Sequence, residues 1–254
     1  MSARWFIRYV LPPLVPLVLV SALAEFAVRA GWVQAFLVPA PTSVARALLS
    51  NAELWRSTRA TALDAGAGLA MSIAAGIAIA IALSSAAWVQ RAFYPYAVFF
   101  QTVPIIAVAP LLVIWVGWDR TVVTSAFIVS IFPVIANTLA GLRSTDPALR
   151  DMFRLYRATP LATLLKLRLP SALPNIFTGL RIAAGLAVIG AIVGEFITGG
   201  GIGGLIIVSR QRQQVEIIFA ALVLAAMLGI VLFAVINLTS RLTLRHWHPS
   251  EAET

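Results

Sequence analysis

The chain has no cysteine, two histidines and a single lysine among its 254 residues. Without cysteine there can be no disulfide, no thiolate nucleophile and no cysteine-ligated metal. His246 and His248 fall in the polar tail RHWHPSEAET, where two histidines without cysteine partners do not close a metal site. The lone lysine, Lys166, follows Leu165 in TLLKLRLP with no glycine-rich loop ahead of it, so the phosphate cradle of a P-loop is missing. Charge is scarce too: 11% of the residues are charged, against about 25% in an ordinary soluble domain. The ten acids are dispersed, which leaves no acid–base or nucleophilic cluster for catalysis, and no enzyme activity is expected in this chain.

What the sequence has instead is apolar length. Hydrophobic residues make up 60% of it, and much of its surface must therefore face something other than water. The net charge of +9 does not read as a nucleic-acid footprint, because most arginines lie between apolar runs or at their ends. Runs long enough to span a bilayer cover 9–28, 65–89, 94–118, 122–142, 176–197 and 217–238. The first resembles a signal-peptide core but has no clear cleavage pattern, and it reads as a retained span. Between the first two runs, PAPTS marks a turn, and the residues from Val44 onward suit an amphipathic helix along the interface. The second run is rich in Ala and Gly, which lets helices approach closely. In the third, Pro104 and Pro110 each remove a backbone donor and predict kinks.

These runs predict an all-α polytopic membrane protein of about six transmembrane helices, a single domain over 1–254 with its core at about 60–240. With the N-terminus inside, 12 of the 19 basic residues fall on the inner side, and an even number of spans puts both termini in the cytoplasm. The glycines of TGGGIGG formally contain G-x-G-x-x-G. They follow a membrane-length run rather than a strand, so a flexible turn between membrane segments is the expected reading.

The connection 143–174 is the exception to all this greasiness. It contains DMFRLYRATPLATLLKLRLPSALP, with one acid and four basic side chains from Arg154 to Arg168. Asp146-Pro147 is a helix start signal, and Met152, Leu155, Tyr156 and Thr159 then form one mainly apolar face. Pro160 should interrupt that helix. A second short stretch spans 161–167, before Pro170 changes the chain's direction again. Two short cytoplasmic helices with exposed leucines and aromatics can dock a partner, or can pack beneath the protein's own helices.

This segment resembles the cytoplasmic coupling loop of permease subunits from bacterial binding-protein-dependent ABC importers. Their signature runs E-A-A, three residues, G, nine residues, I-x-L-P. Asp151 falls on the acid, Met152 and Phe153 on the alanines, and Arg157 on the glycine; Leu167, Arg168, Leu169 and Pro170 match the close. QTVPIIAVAPLLVIWVG and IGAIVGEFITGGGIGGLI are similar to regions of permeases for nitrate, taurine and aliphatic sulfonates. The resemblance implies the six-helix fold of methionine- and sulfonate-class importer permeases, in the bacterial inner membrane. It implies a second permease copy, two cytoplasmic P-loop ATPase subunits that bind ATP and Mg, a periplasmic solute-binding protein, and no cofactor in this chain. The solute would be a sulfonate, taurine, nitrate or a pyrimidine precursor; a six-span secondary transporter is the alternative.

On this basis the residues expected to contact the ATPase are Asp151, Met152, Phe153, Arg154, Leu155, Tyr156, Arg157, Ala158, Thr159, Pro160, Leu167, Leu169 and Pro170. Arg157 departs from the glycine, so either the turn is altered or the partner accommodates an arginine. Gln101, Thr102, Pro104, Asn137 and Glu195 are candidates for a translocation path or gate, because polar groups in a membrane need partners or water. Each has a structural alternative. Gln101 and Thr102 can make interhelical hydrogen bonds, Asn137 suits a structural bond better, and Glu195 can pair between helices.

Overall fold

Prolines and glycines decide where this chain breaks its helices, and several breaks fall elsewhere than the sequence suggests. The computed structural model describes residues 11–244, excepting a few side chains, that of Gln101 among them. Arg4, Arg8, Arg245, His246 and His248 lie outside the described residues.

The described chain is all α-helical. Helix α1 (Leu11–Arg29) carries Pro16 inside it, and α2 (Pro41–Ser50) starts with proline at its first position, where the missing N–H would be unpaired anyway. Helix α3 (Ala52–Leu83) is capped by Asn51, whose side chain accepts the Glu53 N–H at 2.9 Å. Its 32 residues give about 48 Å of helix, well beyond a hydrocarbon core of about 30 Å. The charged turns Glu53–Arg59 therefore belong to the same helix as the apolar run, which sequence alone starts at Ala65.

The third apolar run is not one helix. Helices α4 (Ala87–Thr102) and α5 (Ile105–Val116) are separated by Val103 and Pro104, both extended, with ψ at 123° and 111°. Proline pushes the residue before it out of helical geometry, and here that preference wins. Pro110 lies inside α5 without ending it. Gly117, at φ 84°, is the single residue between α5 and α6 (Trp118–Arg143).

Beyond α6, α7 (Pro147–Leu155) leads to α8 (Pro160–Thr163), a π-helical turn (Leu164–Arg168) and α9 (Leu169–Thr198). Pro170 does not redirect the chain as expected, because helix continues from Pro160 to Thr198. The wide turn is the reason: the Leu169 N–H reaches back five residues to the Leu164 carbonyl, a spacing that loosens the ladder where the proline ring would otherwise clash. The glycine run is also more ordered than a flexible turn. Gly199, left-handed at φ 75°, closes α9; α10 (Gly201–Gln211) then forms, and α11 (Val215–Leu244) ends the described chain.

Four of these units are long and apolar enough to cross a membrane: α3, α6, the continuous helix 160–198, and α11. They make the chain a polytopic membrane protein. Helix α6 sits between α3 and α9 and touches both at backbone distance. A Cβ on Gly68 of α3 would lie 2.5 Å from the Ala126 Cβ, and one on Gly190 of α9 would lie 2.7 Å from the Ser125 carbonyl oxygen. Small residues set these interfaces, as they do where lipid supplies no hydrophobic drive between helices. Ser72 and Ser130 join α3 to α6 through hydroxyls 2.7 Å apart. By contrast, α1 and α11 turn side chains such as Val20 and Ile230 outward, about two thirds exposed, as a lipid-facing surface does.

Candidate functional site

The segment between α6 and α9 folds from local rules. The Asp146 side chain accepts the Ala148 N–H at 2.8 Å and Pro147 takes the first position of α7, the start the sequence announces. Thr159 caps α8 in the same way, accepting the Ala162 N–H at 3.2 Å, with Pro160 next. Met152, Leu155, Tyr156 and Thr159 all end up exposed, Leu155 at 84% and Tyr156 at 81%. Asp151 pairs with Arg154 at 3.3 Å on the surface, while Phe153 and Ala158 are half-buried. Of the closing residues, Leu167 is buried and Leu169 and Pro170 are half-buried at the start of α9.

Arg157 stands in the left-handed region at φ 52°. Its N–H donates to the Arg154 carbonyl at 2.9 Å, and the Ala158 N–H donates to Phe153 at 3.0 Å. That pair of bonds is the Schellman turn, which ends helices with glycine at this very position. The turn geometry a glycine would give is therefore kept, with a side chain where a Cβ is disfavoured. Gln213, after α10, is the other non-glycine residue at positive φ among the described residues.

Two arginines pin this segment to the ends of the long helices. Arg150 of α7 donates through Nη2 to the carbonyls of Arg143 (2.7 Å) and Thr145 (3.1 Å). Arg168, in the π turn, donates to the Leu142 carbonyl at 3.2 Å and to Ser84, past the end of α3, at 3.5 Å. The Leu142 and Arg143 carbonyls lie in the last turn of α6 and Ser84 caps α3, the negative ends of helix dipoles, where cations are favoured. Sequence reasoning took both arginines as positive-inside charge. Their partners are backbone carbonyls at and just past the ends of α6 and α3, and no residue pattern announces such partners.

The membrane candidates do not converge. Thr102 donates to its own helix at Phe99 (2.8 Å), and Pro104 forms the α4–α5 break. Beside that break lies a cavity of ≈ 520 Å³ whose walls include Tyr96, Val103, Leu112, Trp115 and Phe132. Asn137 donates to the Pro133 carbonyl at 2.9 Å and packs where a Cβ on Gly179 would touch it. Glu195 lies 16 residues further along α9 than Gly179, about 24 Å away at 1.5 Å per residue.

Glu195 is 1% exposed and holds the start of α10 from a neighbouring helix. One carboxyl oxygen accepts the Thr61 hydroxyl at 2.6 Å and the other accepts the Gly203 N–H at 2.8 Å; the Ile202 N–H donates to Thr61 at 2.9 Å. Gly200, the residue before α10, has no side chain to cap it, so Thr61 and Glu195 do so in trans. The glycines are needed for the approach, since a Cβ on Gly201 would overlap the Glu195 carboxyl. Glu25 plays the same part for α2, accepting the Thr42 N–H at 3.0 Å and its hydroxyl at 2.8 Å. Thr61 escaped the sequence reading because it precedes the apolar run.

The geometry is that of a polytopic membrane protein whose short helices between α6 and α9 are tied by arginines to the ends of its membrane-crossing helices. Residues 72–246 match the family of binding-protein-dependent transport system inner membrane components, and the chain belongs to that family. A "probable ABC transporter permease protein" of Haemophilus influenzae is 37% identical over 202 residues, covering 78% of this chain and 82% of that protein. A formylaminopyrimidine transport permease protein of Halalkalibacterium halodurans is 36% identical over 80% of this chain and 83% of its own length. A permease protein of Escherichia coli named for aliphatic sulfonates is 32% identical over 97% of this chain and 95% of its own length. The chain is thus the membrane permease component of an ABC importer for a small organic or inorganic solute, and not a secondary transporter. It is not the ATPase, and in this architecture ATP hydrolysis belongs to a separate subunit.

Proposed function

We propose that two copies of this chain form the translocation path, and that two ATPase subunits dock on the loops 143–174. A periplasmic binding protein delivers the solute from the opposite side. In this reading α1, about 28 Å long, and the broken pair α4–α5 complete six spans, with both termini in the cytoplasm. ATP binding closes the ATPase pair and moves the loops, and the membrane helices reorient with them.

The observation that carries this reading is α7 itself. It exposes Leu155, with Tyr156 just past its end, to solvent, while Arg150 ties it to the end of α6 and Arg168 ties the following π turn to the ends of α6 and α3. A merely solvated loop needs neither the exposed apolar side chains nor the anchors. Leu155→Asp places a charge in the docking face and should release the ATPase and abolish uptake while the permease still inserts. Unchanged ATPase association and unchanged uptake in that variant would end the assignment.

For the solute, the cavity beside the α4–α5 break supports an uncharged ring compound of the pyrimidine-precursor type over nitrate, taurine or a sulfonate. Tyr96, Trp115 and Phe132 supply aromatic rings for stacking, and among the described residues no basic side chain lines it. An oxyanion entering would lose its hydration without a cation to replace it.

A further inference from the structure

We propose that Arg157 is a specificity contact: its guanidinium meets a carboxylate on the docking surface of the ATPase subunit, so that this permease accepts an ATPase with an acidic pocket at that point. The inference rests on the docking reading above and deepens it. The turn that Arg157 closes has the two Schellman hydrogen bonds and a positive φ, and it would form more easily with glycine. The fold therefore gives no reason for a side chain there, and an outlier of this kind points to a use for the group itself. Position supplies the use. Arg157 is exposed, directly follows Leu155 and Tyr156 on the outward face, and forms no ion pair with a carboxylate among the described residues. Its neighbour Arg154 differs, being matched to Asp151 at 3.3 Å. Arg157 is thus the cation open beside Leu155 and Tyr156, while the exposed Lys166 sits in the π turn; the large apolar side chains next to Arg157 would shield an ion pair from water once docked. Partly desolvated pairs of this kind set partner choice and association rate more than fold stability.

The substitution that tests this is Arg157→Gly, which relieves the backbone and so cannot fail by unfolding the turn. Binding of the purified ATPase subunit to the permease in lipid nanodiscs is measured across a salt series, with Arg157→Lys and Leu155→Asp alongside. The expected result is about tenfold weaker binding for Arg157→Gly at low salt, a flatter salt dependence, and a slope largely restored by Arg157→Lys. Binding within twofold of the unsubstituted protein at every salt concentration would overturn the proposal. If Leu155→Asp then abolishes binding, only the role of Arg157 falls; if it too binds normally, the docking surface itself is misplaced.

Discussion

Replacing Glu195 separates a helix cap from a gate. In Glu195→Ala the Gly203 N–H loses its acceptor in a site that is 1% exposed, which costs about 1–3 kcal/mol for one buried, unsatisfied donor. The Thr61 hydroxyl is less stranded, because the Ser57 carbonyl lies 3.1 Å away and can take its proton. The space left by the side chain adds a cavity term, and the sum is about 3 kcal/mol. Glu195→Gln is different: its amide oxygen can accept the Gly203 N–H, and its NH₂ can donate to the Thr61 oxygen once the Thr61 proton turns to Ser57. That variant should lose about 1 kcal/mol. For a chain of this length the alanine variant should melt about 6–12 °C lower, and the glutamine variant about 2–4 °C lower, followed by thermal unfolding in detergent. A Thr61→Val, Glu195→Ala cycle should show coupling of about 1 kcal/mol or more. Equal losses in the alanine and glutamine variants would refute the hydrogen-bond account. A glutamine variant with unchanged melting and altered uptake would make Glu195 a path residue after all.

Two more outcomes test the transmission and the solute. Arg168→Ala should leave ATPase binding within twofold, because Arg168 faces carbonyls rather than the docking surface, while solute imported per ATP falls at least fivefold; Arg168→Lys, keeping one charged donor, should recover part of the ratio. Parallel loss of binding and transport would show that Arg168 only holds the loop's shape. Binding of a panel of pyrimidines, sulfonates, taurine and nitrate to the transporter's own solute-binding protein should select a pyrimidine-type ligand. Selection of an oxyanion would remove the cavity beside α4–α5 from the path.

Local rules made much of this legible from the sequence. Asp146-Pro147 starts a helix because an oxygen acceptor followed by proline meets the needs of a helix N-terminus with no help from elsewhere; Thr159-Pro160 does the same, and Thr159 therefore caps α8 and does not extend the apolar face of α7 as the sequence suggested. The apolar runs locate α6, α9 and α11 for the same reason, since length and hydropathy are properties of the segment alone. What failed to show was nonlocal. Pro170 looks like a break until the π turn before it is seen. TGGGIGG looks like a flexible turn because its organising groups, Thr61 and Glu195, come from two other helices. At Arg157 the sequence left open either an altered turn or a partner that accommodates an arginine. The turn proved to be a glycine's conformation carried by an arginine, which no pattern of residue types could distinguish.

The packing also indicates how a push on the loop would travel in the proposed cycle. Arg150 and Arg168 bind backbone carbonyls at the ends of α6 and α3, so movement of α7 is passed to α6 through Arg150 and movement of the π turn to α6 and α3 through Arg168. Helix α6 in turn meets α3 at Gly68 and α9 at Gly190 with no room for a Cβ, and interfaces that close tend to move as one body or not at all. The yielding element must then lie outside that trio. The α4–α5 pair fits: its ladder is already interrupted at Val103 and Pro104, so bending there does not have to break a continuous helix. The cavity lies against this break. In the proposed cycle a rigid α3–α6–α9 block rocking against the broken α4–α5 pair would change the shape of the cavity first.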